Sequence, residues 1–326
     1  MTEGISLNDI QKVIAPQLDL FESKFKDSVR SKVPLLDRVM YYIVQRKGKQ
    51  MRPMFVFFSA KLQGQITDAT YRGAALIELL HTATLIHDDV VDDANERRGF
   101  FSVNALWKNK VAVLVGDYLL SKGLLLAIDN QDFTLLQVVS KAVKDMSEGE
   151  LLQMERSRRL NLDEATYFEI ITKKTASLIA SACAVGFASS VNDLEARQLV
   201  WDIGEKIGIA FQIRDDLFDF GAEDAGKPKG IDIKEKKLTL PIIYAINNAS
   251  DADRRRIIYI IKNQHTDKKK VAEVIDFVWK SGGIEYAQEA MHQYKKQALD
   301  LLAGFPKSEG RTGLEQLIWF TIERKR

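Results

Sequence analysis

With 47 lysines and arginines against 45 aspartates and glutamates, the 326 residues carry a net charge of +2 and no block of like sign, which argues against a nucleic-acid binder. Hydrophobic residues make up 46%, enough for a sizeable core, and six prolines with no Gly/Ser linker mark no boundary, so a single domain over 1–326 is expected. The one cysteine excludes an intramolecular disulfide; without a basic-then-apolar leader, or an uninterrupted apolar stretch near the roughly 20 residues of a membrane span, a cytoplasmic chain with no transmembrane segment is expected.

In chain order, residues 7–47 set Ile10, Val13, Ile14, Leu18, Phe21 and Phe25 at helical spacing, interrupted at Pro34, and read as scaffold helices. In GKQMRPMFVFFSAKL, Pro53 suits the first turn of a new helix, with Gly48, Lys49 and Arg52 in the turn before it. Cations beside a helix N-terminus make an anion site, although two basic residues at a turn are by themselves ordinary solvated groups.

From about Asp68 to Asp92 the pattern is one long helix, roughly 37 Å at 1.5 Å per residue, ending in HDDVVDDANERRG. On that helix Asp88, Asp89 and Asp92 fall at about 0°, 100° and 40°, a narrow arc that His81 also approaches. Carboxylates this close repel, so the cluster calls for a cation, and hard oxygen ligands suit magnesium or calcium.

Asn95, Arg97, Arg98 and Gly99 form a loop, followed by amphipathic helices around 111–128 and 135–160, where Asp117, Glu148, Glu150 and Gln153 read chiefly as solvated groups, with support of the site residues as the alternative. The run EIITKKTASLIASACAVGFAS is rich in small residues that let helices approach, and Cys183 within it reads as a packed thiol. Residues 198–220 form a second long helix ending in FQIRDDLFDFG, where Asp215, Asp216 and Asp219 repeat the D-D-x-x-D spacing with Gln212 on the same arc. One such motif arises easily as a solvated helix end, whereas two, each capping an apolar helix, do not. A glycine- and lysine-rich loop, Gly221 to Lys237, reads as a lid, and helices resume after Pro241 through Ile322. No segment requires a sheet, so the fold is expected to be all-α.

On these residues the chain resembles the trans-type isoprenyl diphosphate synthases, densely over roughly 45–245 and more loosely beyond. The resemblance implies an all-α helical bundle around a deep central cavity, with two aspartate motifs facing each other and holding Mg2+ against a substrate diphosphate. It implies that Lys49, Arg52, His81 and Arg98 hold isopentenyl diphosphate, while Arg97, Lys174, Lys227 and Lys237 face the allylic diphosphate, farnesyl or geranyl. Thr175 completes the K-T element with Lys174, and Gln212 joins the second motif. Lys227 and Lys237 fit the family's G-K-x-x-G-x-D and K-x-T-L-P signatures, and Arg324, Lys325 and Arg326 touch the second diphosphate in some relatives. The family also implies a homodimer, and peripheral membrane contact for product release.

The implied reaction is head-to-tail prenyl transfer, with product length set where the growing chain meets a bulky side chain beneath the first motif. Short-chain relatives often place an aromatic residue four or five positions before that motif. Here Thr84 and Ala83 are small, and Leu76, Leu80 and Ala83 form an i, i+4, i+7 stripe, so a deeper tunnel and an octaprenyl-like product are expected, with a farnesyl or geranylgeranyl product as the alternative. A class I terpene cyclase normally lacks the second aspartate motif, and a non-catalytic partner subunit typically loses one. A calcium-sensor loop, with alternating ligands and a central glycine, is absent from both clusters.

Overall fold

The structure, a computed structural model, describes residues 6–45, 48–97, 99–159, 163–221 and 230–323. Its chain clusters into two compact units, Met1–Val143 with Ser181–Trp201 and Phe305–Gln316, and Lys144–Ala180 with Asp202–Gly304 and Leu317–Arg326.

The first unit begins with α1 (Leu7–Val13), α2 (Ala15–Ser28) and α3 (Pro34–Val44), the scaffold helices expected there. Next, α4 (Met51–Ala60) is buried from Pro53 to Ala60 because its sequence is apolar on every side. Phe57 on it meets the edges of Phe21 and Tyr71 at 6.1 and 5.3 Å. Arg52 is the second residue of this helix and not part of the preceding turn, where Gln50 stands in the left-handed region at φ 50°.

The long helix α5 (Asp68–Val91) matches its expected span to within a residue. Its start is fixed by a reciprocal cap in which Thr67 accepts from the Thr70 amide and Thr70 accepts from the Thr67 amide. At its other end Asp92 is the C-cap and Asp93 turns left-handed at φ 49°. The loop beyond is a short hairpin, β1 (Glu96–Arg97) antiparallel to β2 (Phe100–Phe101), too brief for periodicity to announce.

Helix α6 (Val103–Asp129) lies along α5, and Leu79, Ala83 and Ile86 of α5 share a buried cluster with Val39 and Met40 of α3 and Ala112, Val115 and Leu119 of α6. Burying each of the larger side chains there, the leucines, isoleucine, valines and methionine, contributes about 1.5–3 kcal/mol. Lys108 interrupts α6 with φ 72° and ψ 159°.

By length and composition α6 and the stretch Glu164–Ala188 are apolar enough to cross a membrane, although charged residues interrupt both and neither is an unbroken apolar run. Even with the charges of Asp117 and Lys122, the α6 window keeps a mean hydropathy of 1.8. Only 33% of that window is buried, against 72% for Glu164–Ala188.

In the second unit, α8 (Glu164–Ile171) runs into a π-turn (Thr172–Ala176), after which α9 (Ser177–Ala188) begins. Two further helices contribute their C-terminal halves, α7 (Phe133–Arg159) and α10 (Leu194–Asp219). The unit continues through α11 (Ile231–Lys234), α12 (Leu240–Asn247), α13 (Asp251–Asn263), α14 (Lys268–Lys280), α15 (Gly283–Ala303) and the end of α16 (Glu309–Glu323). Its core is α12, apolar and buried over most of its length, which packs on α15, α8, α13 and α14.

Candidate functional site: two aspartate-bearing helix ends and a polar cavity

Both aspartate motifs stand at helix C-termini. Aligned backbone carbonyls make that end partially negative, so each carboxylate there is disfavoured by about 0.3–1 kcal/mol unless a cation compensates.

In the first unit Asp89 is buried, Asp88 half-buried and Asp92 exposed. Their turn is braced from the start of α6. The Asn104 amide donates to the carbonyls of Asp89 (3.2 Å) and Ala94 (3.1 Å), and the Ser102 hydroxyl donates to the Ala94 carbonyl at 2.6 Å.

Among the cations, Arg52 forks onto Glu78, with Nε donating to Oε1 at 2.7 Å and Nη2 to Oε2 at 3.3 Å. Glu78 and His81 are i,i+3 neighbours on α5, so Arg52 is laid along the face that carries His81. Lys49 is exposed three residues ahead, its carbonyl accepting from Gln11 at 3.3 Å. Arg98, Lys227 and Arg324 to Arg326 lie outside the described residues, as do residues 222–229 of the expected lid, while its far end contains the short helix α11, and Arg97 is described by its backbone alone.

The chain-length stripe packs against α6. Leu76 and Leu80 reach into the notch at Gly123, where an added Cβ would come within 3.1 Å of Leu76, and Ala83 is enclosed in the apolar cluster above. Thr84 is half-buried, its hydroxyl donating to the His81 carbonyl at 2.9 Å.

The second unit holds a cavity of about 190 Å³. Lys174, Thr175, Gln212, Asp215, Asp216 and Lys237 all line it. Tyr167, Asp232 and Thr239 line it too, as do Ile170 and Ile171 on the apolar side. Of the two residues read chiefly as solvated, Gln153 is part of the wall and accepts from Lys174 Nζ at 2.9 Å, and Glu150 is that lysine's ion-pair partner, the supporting role that was the alternative.

Lys174 reaches this position from the π-turn, which is seated where neighbouring helices lack side chains. A Cβ at Gly149 of α7 would stand 2.8 Å from the Lys174 amide, and one at Gly208 of α10 would stand 2.4 Å from Ala176 Cα. Such single π-turns recur at functional sites.

The three aspartates of α10 hold different positions. Asp215 is exposed on the cavity. Asp216 is buried, one oxygen accepting from Tyr167 OH at 2.6 Å and the other from Gln212 Nε2 at 2.9 Å. Asp219 caps α11: its two oxygens accept from the amides of Ile231 (2.7 Å) and Asp232 (3.1 Å), and its carbonyl from Gly230 (3.0 Å). Its two oxygens are thus both engaged by the start of α11, whereas Asp215 stays open to the cavity.

That cap carries Asp232 into the cavity. Burial, then the Asp219 charge, push Asp232 up to about 7; burial, then the Asp232 charge, push Asp216 up to about 8 against the donors Tyr167 and Gln212. Crowded carboxylates at the negative end of a helix, beside lysines, suit hard cations carrying an anionic oxygen ligand. No set of three or more His, Cys, Asp or Glu side chains among the described residues is already gathered to hold a metal ion.

Sequence reading missed Tyr167, Glu78 and Asp232 as contributors. The signals were present as a glutamate one turn before His81 and as the aspartate closing G-K-x-x-G-x-D.

Comparison with known proteins agrees with this geometry. The family model described as polyprenyl synthetase matches residues 33–278. A short chain isoprenyl diphosphate synthase of Methanothermobacter thermautotrophicus is 34% identical over 97% of this chain and 99% of its own length. Among solved structures, a decaprenyl diphosphate synthase from Rhodobacter capsulatus superposes with a TM-score of 0.93 at 32% identity, covering 98% of this chain and all of its own (100%). A polyprenyl synthase from Caulobacter crescentus CB15, complexed with calcium and isoprenyl diphosphate, gives 0.89 at 30% identity and 98% coverage of each chain.

Proposed function

Since this chain belongs to the polyprenyl synthetase family, we propose that it condenses an allylic diphosphate with successive isopentenyl diphosphates, in the presence of magnesium, into a long-chain all-trans polyprenyl diphosphate of octaprenyl class. The observation that carries this reading is the cavity that Lys174 and Lys237 line together with Asp215, Asp216 and Asp232. Cations and carboxylates on one wall suit a diphosphate held with a divalent ion.

The reaction needs no protein nucleophile. The allylic carbon–oxygen bond breaks with its electron pair leaving on diphosphate, the double bond of isopentenyl diphosphate attacks the resulting carbocation, and loss of a proton restores a double bond. The chain contributes charge and position. Lys174 and Lys237, joined by Arg97 and Lys227, neutralise the departing diphosphate. Lys49, Arg52, His81 and Arg98 hold that of isopentenyl diphosphate. Ile170 and Ile171 give the cavity an apolar wall that helps exclude water, which would quench the cation. Magnesium, when bound by Asp88, Asp89 and Asp92 and by Asp215, Asp216 and Asp232, supplies Lewis-acid neutralisation of the diphosphate. Asp219 serves through its cap on α11.

A long product is supported by the small side chains Ala83 and Thr84. The enclosure of Ala83 among Val39, Met40 and Val115 favours the second reading, a farnesyl or geranylgeranyl product. Mass spectrometry of products made by the purified chain with isopentenyl diphosphate, magnesium and farnesyl or geranyl diphosphate decides both questions. Octaprenyl, or a heptaprenyl to nonaprenyl range, is expected, and no incorporation of isopentenyl diphosphate would sink the reading. We further propose a cytoplasmic homodimer that touches membranes peripherally to release product. Support comes from the buried thiol and from the outward stripe of α6, where Leu106, Val113, Leu114, Leu124, Leu125 and Ile128 are exposed at helical spacing.

A further inference from the structure

Asp216 is gripped from both sides by one continuous segment. Tyr167 of α8 donates its hydroxyl to Asp216 Oδ2 at 2.6 Å. Thr175 of the π-turn donates to Gln212 Oε1 at 2.8 Å, and Gln212 Nε2 donates to Asp216 Oδ1 at 2.9 Å. Gln212 and Asp216 are i,i+4 neighbours on one face of α10.

That grip depends on the π-turn. In an uninterrupted α-helix Tyr167 and Thr175, eight residues apart, would point about 80° from each other. The π-turn takes up one extra residue, so Thr175 adopts the direction of a seventh residue, within about 20° of Tyr167. Both hydroxyls then meet the Gln212–Asp216 stripe, and the same turn presents Lys174 to the cavity.

We propose that Tyr167 is a positioning residue for the reaction. With Thr175 and Gln212 it fixes the rotamer of Asp216, and thereby holds the carboxylate wall of the cavity in register with Lys174. Both oxygens of Asp216 accept a hydrogen bond from this chain, so its carboxylate cannot rotate without breaking one of them. Partners that orient a cation-binding carboxylate in this way characteristically affect ion affinity or activity by about 10–100-fold.

The role assigned to Tyr167 rests on the proposed reaction, so its test has an arm that needs no turnover. Magnesium-dependent binding of inorganic diphosphate is measured by calorimetry on the full chain, as wild type, Tyr167→Phe, Thr175→Val and the double variant. Tyr167→Phe is expected to weaken that binding about tenfold and to raise by a similar factor the magnesium needed for half-maximal turnover. The KM for isopentenyl diphosphate should stay within about twofold. Thr175→Val should act in the same direction but more weakly. The double variant should fall short of the product of the two effects, because both act through one carboxylate.

Wild-type affinity and magnesium dependence in Tyr167→Phe would overturn the proposal, as would an equal loss in every parameter. Should Tyr167→Phe fail to fold, Thr175→Val decides alone, and unchanged magnesium-dependent binding in it overturns the proposal. If the variants weaken diphosphate binding but the wild type transfers no prenyl group, the clamp stands and the proposed reaction falls. If the wild type transfers prenyl groups and the variants match it throughout, the clamp alone falls.

Discussion

Glu78 holds Arg52 by its fork, the guanidinium Nε at 2.7 Å from one carboxylate oxygen and Nη2 at 3.3 Å from the other. A planar guanidinium meets a carboxylate this way and an ammonium cannot. Arg52→Lys keeps the charge but loses the fork. It is expected to raise the KM for isopentenyl diphosphate by roughly tenfold while leaving kcat within about twofold. A loss of kcat with KM unchanged would remove Arg52 from that subsite.

The aspartates of α10 should separate by phenotype. Asp215→Ala, on the cavity, and Asp88→Ala, on the first motif, are each expected to lower turnover by about a hundredfold or more with the fold intact, and excess chelator should abolish wild-type activity. Asp219→Ala instead leaves the amides of Ile231 and Asp232 without their acceptor. Hydrogen exchange at those two amides should accelerate by about 10–100-fold, the equivalent of about 1–3 kcal/mol for an orphaned donor. Unchanged exchange there would remove the capping role.

Much of this site was legible because its parts lie on long, strongly periodic helices. The reading of 68–92 meets α5 at Asp68–Val91, and Gln212, Asp215 and Asp216 share a cavity because they share a helical face. What escaped depends on contacts between residues far apart in sequence. Tyr167 reaches Asp216 and Arg52 reaches Glu78 through tertiary packing, which no local pattern encodes. The π-turn has no compositional mark, since Lys and Thr sit as readily in an α-helix. It is set by the glycines of α7 and α10 pressed against it. Helix boundaries drifted for a similar reason: α6 begins at Val103, where Ser102 caps the Ala105 amide, well before the apolar run at 111.

Cys183 offers a pH-dependent probe. Burial pushes its thiol from 9.0 up to about 12. The unfolded chain therefore gives up this proton from about pH 9 while the folded chain keeps it, so stability is unaffected below pH 9 and declines between 9 and about 12. Urea midpoints should fall with pH across that window in wild type more steeply than in Cys183→Ala. A maleimide should label the native protein only as it unfolds, and prompt labelling of native protein would contradict the burial.

Ala83→Tyr places a ring in the closed cluster of Val39, Met40, Val115 and Leu119. If the product runs past this position, the variant should make shorter chains while staying active, at a cost of about 1–3 kcal/mol for overpacking. Product mass spectra alongside thermal melts read both effects. An unchanged distribution from an active variant would move the floor elsewhere.

The exposed stripe of α6 predicts association. Leu114→Asp together with Leu125→Asp, at positions 68% and 52% exposed, should shift the chain to monomer in analytical ultracentrifugation without lowering the melting temperature of the subunit itself. A wild type that sediments as a monomer at micromolar concentration would rule out this surface as a stable interface.

The cap that Asp219 places on α11 also bears on how the gene can change. The chain leaves α10 at Asp219 and is back in hydrogen-bond contact with that same residue at Gly230, Ile231 and Asp232. The two ends are closed by Asp219 itself, so the closure does not depend on how many residues lie between them. Doubling such an excursion costs only about 0.6 kcal/mol in closure entropy. A change of length outside the G-K-x-x-G-x-D run is therefore expected to leave Asp232 at the cavity for as long as Asp219 keeps its cap.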